Sequence, residues 1–162
     1  MVIFGLAECQ RSYLGPNLMR RGQVEEFGRW MSVSHDGDRV VSWNEEGLSR
    51  PFTVDYSDPA LDRLIREARR DREESLLRRQ PGSFSCSTPQ LDRLVDLARR
   101  QPGVKGAQLS GAGLGGCVMA LVERERAGEL AAALARDYYD PAGLEPDLFT
   151  CFPVAGSGIL TA

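Results

Sequence analysis

The chain has 162 residues, 42% of them hydrophobic and 27% charged, with a net charge of −3. That is enough for one globular domain with a real core. Its basic residues are arginines apart from Lys105, and they are scattered, which excludes the clustered basic face of a nucleic-acid binder.

The stretch from Met1 to Glu8 is apolar but short, with no basic start, so it does not read as a signal peptide. No run approaches the roughly 18 apolar residues of a membrane span. Cys9, Cys86, Cys117 and Cys151 stand far apart with no C-x-x-C pair, and one histidine excludes a His-rich zinc site. A cytoplasmic protein with no membrane partner and no metal site of its own is expected.

The first forty residues read as helical pieces. Gly15-Pro16 is expected to break a helix begun near Ala7, and a second run from Gln23 places Val24, Phe27 and Met31 on one face. Val40, Val41 and Trp43 suit a short strand. Asp36 and Asp38 lack a full oxygen-ligand pattern and read as turn residues.

Two segments thirty residues apart then follow the same plan. Tyr56 to Arg70 and Cys86 to Arg100 each carry a capping residue (Asp58, Thr88), then proline at the first helical position. Apolar residues follow at helical spacing: Leu61, Leu64, Ile65 and Ala68 in one, Leu91, Leu94, Val95 and Ala98 in the other. Shared capping grammar explains the likeness better than duplication does. Between them, Glu67 to Arg79 alternates in charge and reads as a solvated helix face, with Arg70–Glu74 and Glu74–Arg78 spaced for i,i+4 pairing.

From Val104 the pattern changes. Lys105 to Ser110 and Cys117 to Val122 read as strands bracketing Gly111-Ala-Gly-Leu-Gly-Gly116. A helix follows with Ala127, Leu130, Ala131, Leu134 and Tyr138 on one side, then a break at Asp140 to Gly143 and a final strand from Asp147 to Val154. The sum is an α+β fold, an antiparallel ferredoxin-like sheet with helices on one face.

The glycine spacing formally matches a dinucleotide-binding fingerprint, but that loop must run directly into a helix. Here the apolar run Cys117 to Val122 follows, so the dinucleotide reading fails. A tight hairpin and a site of close approach by a ligand or another domain remain equally open on the residues alone.

The longer run Gly103-Val-Lys-Gly-Ala-Gln-Leu-Ser-Gly-Ala-Gly-Leu-Gly-Gly-Cys-Val-Met-Ala-Leu-Val122 resembles the third conserved motif of GHMP superfamily kinases in its galactokinase form. Gln108 and Leu114 depart from it, where arginine and phenylalanine are usual. Phe27-Gly-Arg-Trp-Met-Ser-Val-Ser-His35 and Cys86-Ser-Thr-Pro-Gln-Leu-Asp92 resemble two further galactokinase segments, with Gln90 replacing glutamate. The family's first and second motifs, with its catalytic aspartate, are absent.

The resemblance implies one GHMP kinase C-terminal-like domain over 1–162, with a family-atypical helical insertion at about 37–84. It implies that Ser110, Gly111, Ala112, Gly113, Gly115 and Gly116 form a loop at a substrate and phosphate cleft, with no catalytic residue in the chain. Ser34 and His35 are secondary candidates; a lone histidine at a helix end more often packs structurally than moves protons. ATP and Mg2+ are implied as cofactors held mainly by an N-terminal half. The implied function is part of an ATP-dependent sugar kinase, inactive alone, whose partner is that N-terminal half or a second copy. A non-catalytic small-molecule sensor and an inert remnant are the alternatives.

Overall fold

The computed structural model describes residues 1–111, 113 and 116–152. Helix α1 spans Val2–Arg20 and α2 spans Val24–Asp38, followed by the short strands β1 (Val41–Trp43) and β2 (Ser49–Pro51). Helices α3 (Asp58–Ala68) and α4 (Pro89–Arg99) precede strands β3 (Val104–Ser110) and β4 (Cys117–Val122). Helix α5 (Ala127–Leu134) widens into a π-helical segment, Ala135–Tyr139, and ends in the short α6, Asp140–Ala142. The class is α+β, as the sequence implies.

The core sits between the β3–β4 ribbon and two helices. Leu94, Val95 and Ala98 of α4 meet Ala107 of β3 and Leu130 and Leu134 of α5. These are the apolar positions that helical spacing selects. β3 and β4 are antiparallel, from Val104 opposite Val122 to Ser110 opposite Cys117, with a bulge between Val104 and Gly106. α4 starts where its grammar says: the Thr88 hydroxyl accepts from the Leu91 amide at 3.3 Å, and proline opens the first turn.

Its sequence twin fares differently. Ser57, not Asp58, occupies the cap position of α3, and only Ala60 of that helix is buried, Ile65 being half exposed. The same pattern thus makes a core helix in one place and a surface helix in the other.

Three expectations are corrected. First, α1 runs unbroken through Gly15 and Pro16. Ala7, Arg11 and Gly15 form a buried ridge four residues apart, and Gly15 lies so close to the Phe27 ring that an added Cβ would sit 3.2 Å from it. Packing of this ridge against α2 outweighs the interior proline, which costs about 3 kcal/mol in an isolated helix.

Second, Glu67 to Arg79 is not one helix. Asp71 takes a left-handed backbone (φ 49°), and two 3-10 turns follow, Glu73–Ser75 and Leu77–Arg79. The charges pair elsewhere than at i,i+4: Arg78 and Arg79 both reach Glu73, and Arg79 also reaches Glu26 of α2 at 2.7 Å. Third, Asp147–Phe152 forms no strand, and residues 153 and 154 of the expected strand lie outside the described residues. The described strands therefore make two separate two-stranded ribbons.

The segment from Arg39 to Gln80 is tied down at several points. Arg39 is almost fully buried and forks onto Asp96 of α4 at 2.8 and 2.7 Å, while the Trp43 amide donates to the same carboxylate. The returning chain meets α1: Phe84 stacks on Phe4, and the Arg11 guanidinium donates to the carbonyls of Arg78 and Gln80. Among the described residues no helix is long and apolar enough to cross a membrane.

Candidate functional site

The glycine loop leaves β3 at Ser110 and enters β4 at Cys117, a hairpin closure that puts its tip at one end of the ribbon. Gly111 is exposed, with φ +87° and open space where a side chain would stand. Gly116 is also exposed. Ala112, Leu114 and Gly115 lie outside the described residues.

Gly113 is different. Its φ is +79°, and an added Cβ would fall 1.9 Å from the Cys86 carbonyl oxygen. Glycine is thus required there by the chain's own backbone at the approach to α4, whatever the loop faces on its other side.

Behind the loop lies a polar cluster joining α2 to the start of α4. The Cys86 thiol donates to Asp38 at 3.2 Å, and the Asp38 carbonyl accepts from the Ser87 amide. Burial, then the Asp38 carboxylate, push the Cys86 thiol up to about 11. Burial likewise raises the Asp38 carboxyl above its ordinary value.

One turn earlier on α2, His35 is wholly buried. Its Nδ1 accepts from the Leu109 amide of β3 at 3.2 Å, and its Nε2 lies 3.2 Å from Oδ1 of the equally buried Asp92. The other Asp92 oxygen accepts from the amides of Val40 and Val41. Burial opposes charge on Asp92, but the His35 ring beside it, with Ser87 and the Val40 and Val41 amides, outweighs it and holds the carboxyl below the usual range.

Ser34 and His35 face different surroundings. Ser34, with Gln108, lines a cavity of about 390 Å³ between α1 and α2 whose walls include Phe27, Trp30 and Met31. His35 is committed to the interior, so the two do not form an acid–base pair. Asp36 and Asp38 are helical rather than turn residues: Asp36 accepts from Arg39 and Arg99, and Asp38 from Cys86. Sequence reasoning missed Asp38. A signal was present in its i,i+3 spacing from His35, which places both on one face of α2.

Lys105 belongs to the far end of β3, held by Glu25 and Glu123 at 3.2 and 2.7 Å. Five residues of strand, roughly 17 Å, separate it from Ser110. It is therefore not presented to the glycine loop.

With this geometry in place, comparison with known proteins is informative. Residues 70–140 match the family described as GHMP kinases C terminal. That span takes in α4, the glycine hairpin and α5, but not α2, which carries His35 and Asp38.

The chain is similar to the C-terminal family of GHMP kinases over this span, and to galactokinases over more of its length. It is 31% identical to the galactokinase of Enterococcus faecalis over 151 residues, covering 80% of this chain and 39% of that protein. It is 31% identical to the galactokinase of a Roseiflexus species over 120 residues, covering 74% of this chain and 29% of that protein. A 60-residue stretch is 40% identical to the galactokinase of Levilactobacillus brevis. The galactokinase-like chain thus spans well under half the length of these relatives.

Proposed function

We propose that this chain supplies the C-terminal, cleft-shaping part of an ATP-dependent sugar kinase that transfers a phosphoryl group to a sugar hydroxyl. The observation that carries the reading is the glycine hairpin. It is braced from behind on Cys86 and bare at Gly111, within a segment of the GHMP C-terminal type. A bare, fixed backbone turn lets a ligand or a neighbouring domain come close without side-chain interference.

Phosphoryl transfer depends on positioning and on neutralising charge around the transferred group. Among the described residues, no group of three or more His, Cys, Asp or Glu side chains is placed to hold a metal ion. The lysine is engaged elsewhere. In the proposed enzyme ATP and Mg2+ are bound mainly by an N-terminal part, and Ser110 to Gly116 closes the cleft over them. Residues 37–84, strapped to α1 and α4, are proposed as a family-atypical helical insertion, whose start contributes Asp38 to the cluster behind the hairpin.

The test is ADP release from the purified chain with magnesium, ATP and a panel of hexoses including galactose. No turnover is expected from the chain alone. Turnover is expected on co-expression with the N-terminal three-fifths of a galactokinase relative. Sugar-dependent turnover by the chain alone would overturn the reading, and failure of a soluble, co-purifying pair to turn over would count against it.

A further inference from the structure

We infer that His35 is a positioning residue for the glycine loop, acting as the neutral imidazole protonated on Nε2. The inference rests on the proposed role of the loop, but its geometry is independent of that role.

A neutral imidazole offers one donor and one acceptor. The Leu109 amide can only donate, so Nδ1 must be the unprotonated acceptor. The proton then lies on Nε2, which faces Asp92 Oδ1 at 3.2 Å; the two buried atoms make this close polar contact without hydrogen-bond alignment and have no hydrogen-bond partner. Asp92 is held in turn by two backbone amides at the start of the β1 hairpin. The ring is thus fixed in position and tautomer by α4, and it fixes the strand residue immediately before Ser110.

The loop meets this cluster at two points: His35 accepts from Leu109, the strand residue just before it, and Gly113 abuts the carbonyl of Cys86, whose thiol donates to Asp38 on α2. The charged groups around the ring are Asp92 from α4 and Asp38 on α2 itself, with Glu8 and Arg11 of α1 beyond Asp38. From the approach to α4 comes the Cys86 thiol, and from β3 the Leu109 amide. A second proton on the ring would turn Nδ1 into a donor aimed at a donor, so the grip on Leu109 would have to open.

Because His35 is the only histidine, its ring nitrogens can be assigned without ambiguity by long-range nitrogen–proton correlation on the labelled chain. The Nε2–H tautomer is expected at neutral pH; an Nδ1–H tautomer would overturn the inference with no variant needed.

The variants separate positioning from mere packing. His35→Asn keeps an acceptor near the Nδ1 position, and His35→Gln keeps only a group near Nε2. Leu109 amide exchange is expected to rise about tenfold in the glutamine variant and much less in the asparagine variant. Equal rises at Leu109 and across α5 in both would mark His35 as core packing only. None of these readings depends on turnover, so their failure is distinguishable from failure of the kinase reading.

Discussion

Gly28 of α2 and Gly106 of β3 meet backbone to backbone: a Cβ on Gly106 would fall 1.9 Å from the Gly28 carbonyl oxygen. A Cβ on Gly28 would fall 2.3 Å from the Lys105 carbonyl oxygen. This crossing sets the depth at which α2 lies on β3, and so brings His35 within reach of Leu109. Alanine at either position has backbone, not a flexible side chain, in its way. Gly28→Ala and Gly106→Ala are each expected to lose about 3 kcal/mol or to fail to fold. Urea denaturation followed by circular dichroism checks this.

Gly113→Ala is expected to lift the loop off Cys86, because both the positive φ and the Cys86 carbonyl oppose a side chain. The core of α4, β3 and α5 should survive, so the melting temperature should fall only modestly. The displaced loop should expose Cys86. Alkylation mapped by mass spectrometry should show that thiol reacting several-fold faster than in the parent chain.

The parent Cys86 should itself be slow. Its thiol is pushed up to about 11 by burial and by Asp38, whereas Cys9, Cys117 and Cys151 are exposed. At pH 8 Cys86 is expected to alkylate last, since the thiolate is the nucleophile. Asp38→Asn removes the carboxylate and should speed the reaction; an unchanged rate would leave burial as the whole cause.

Asp92 gives the fold an acid limb. A carboxyl whose folded value lies below its unfolded one adds stability above the unfolded value. That contribution is lost as pH falls through the folded one. The native chain should therefore lose stability on acidification below the ordinary carboxylate range. Asp92→Asn should cost about 3 kcal/mol at neutral pH and flatten that loss. Asp38, whose value is raised, works in the opposite sense, so Asp38→Asn should steepen it. Stability measured from pH 7 to pH 3 for the three chains separates the two signs.

Arg39 anchors the β1–β2 hairpin through Asp96. Asp96→Ala leaves a nearly fully buried guanidinium without its bidentate partner and should cost 3 kcal/mol or more, in line with buried pairs losing about 3–5 kcal/mol. The hairpin should loosen before the core does. Limited digestion with a glutamate-specific protease is expected to cut at the exposed Glu45 or Glu46 of the hairpin turn first.

What the sequence disclosed follows from which interactions are local. α4, with its Thr88 cap, proline and apolar spacing, and the strands flanking the glycines are written in short-range pattern, and the structure has them where they are expected. The fate of Pro16 was not readable, because a distant ring, Phe27, rewards the continuous ridge that includes Gly15. The charged run after Glu67 misled because its partners, such as Glu26, are remote in sequence. At the site, the residues that brace the loop were visible singly. Their joining was not, since it depends on α2 meeting α4 and the segment before it across about fifty residues.

The clasp between Phe4 and Phe84 carries a consequence for the order in which the protein can mature. α1 leaves the ribosome before its partners, since the Phe84 stack and the Arg78 and Gln80 carbonyls that secure it are made about seventy to eighty residues later. At synthesis rates of roughly 5–20 residues per second, Phe4 and the buried side of α1 wait several seconds for these partners. The nascent chain is therefore most exposed to aggregation, or most in need of a chaperone, before Phe84 emerges.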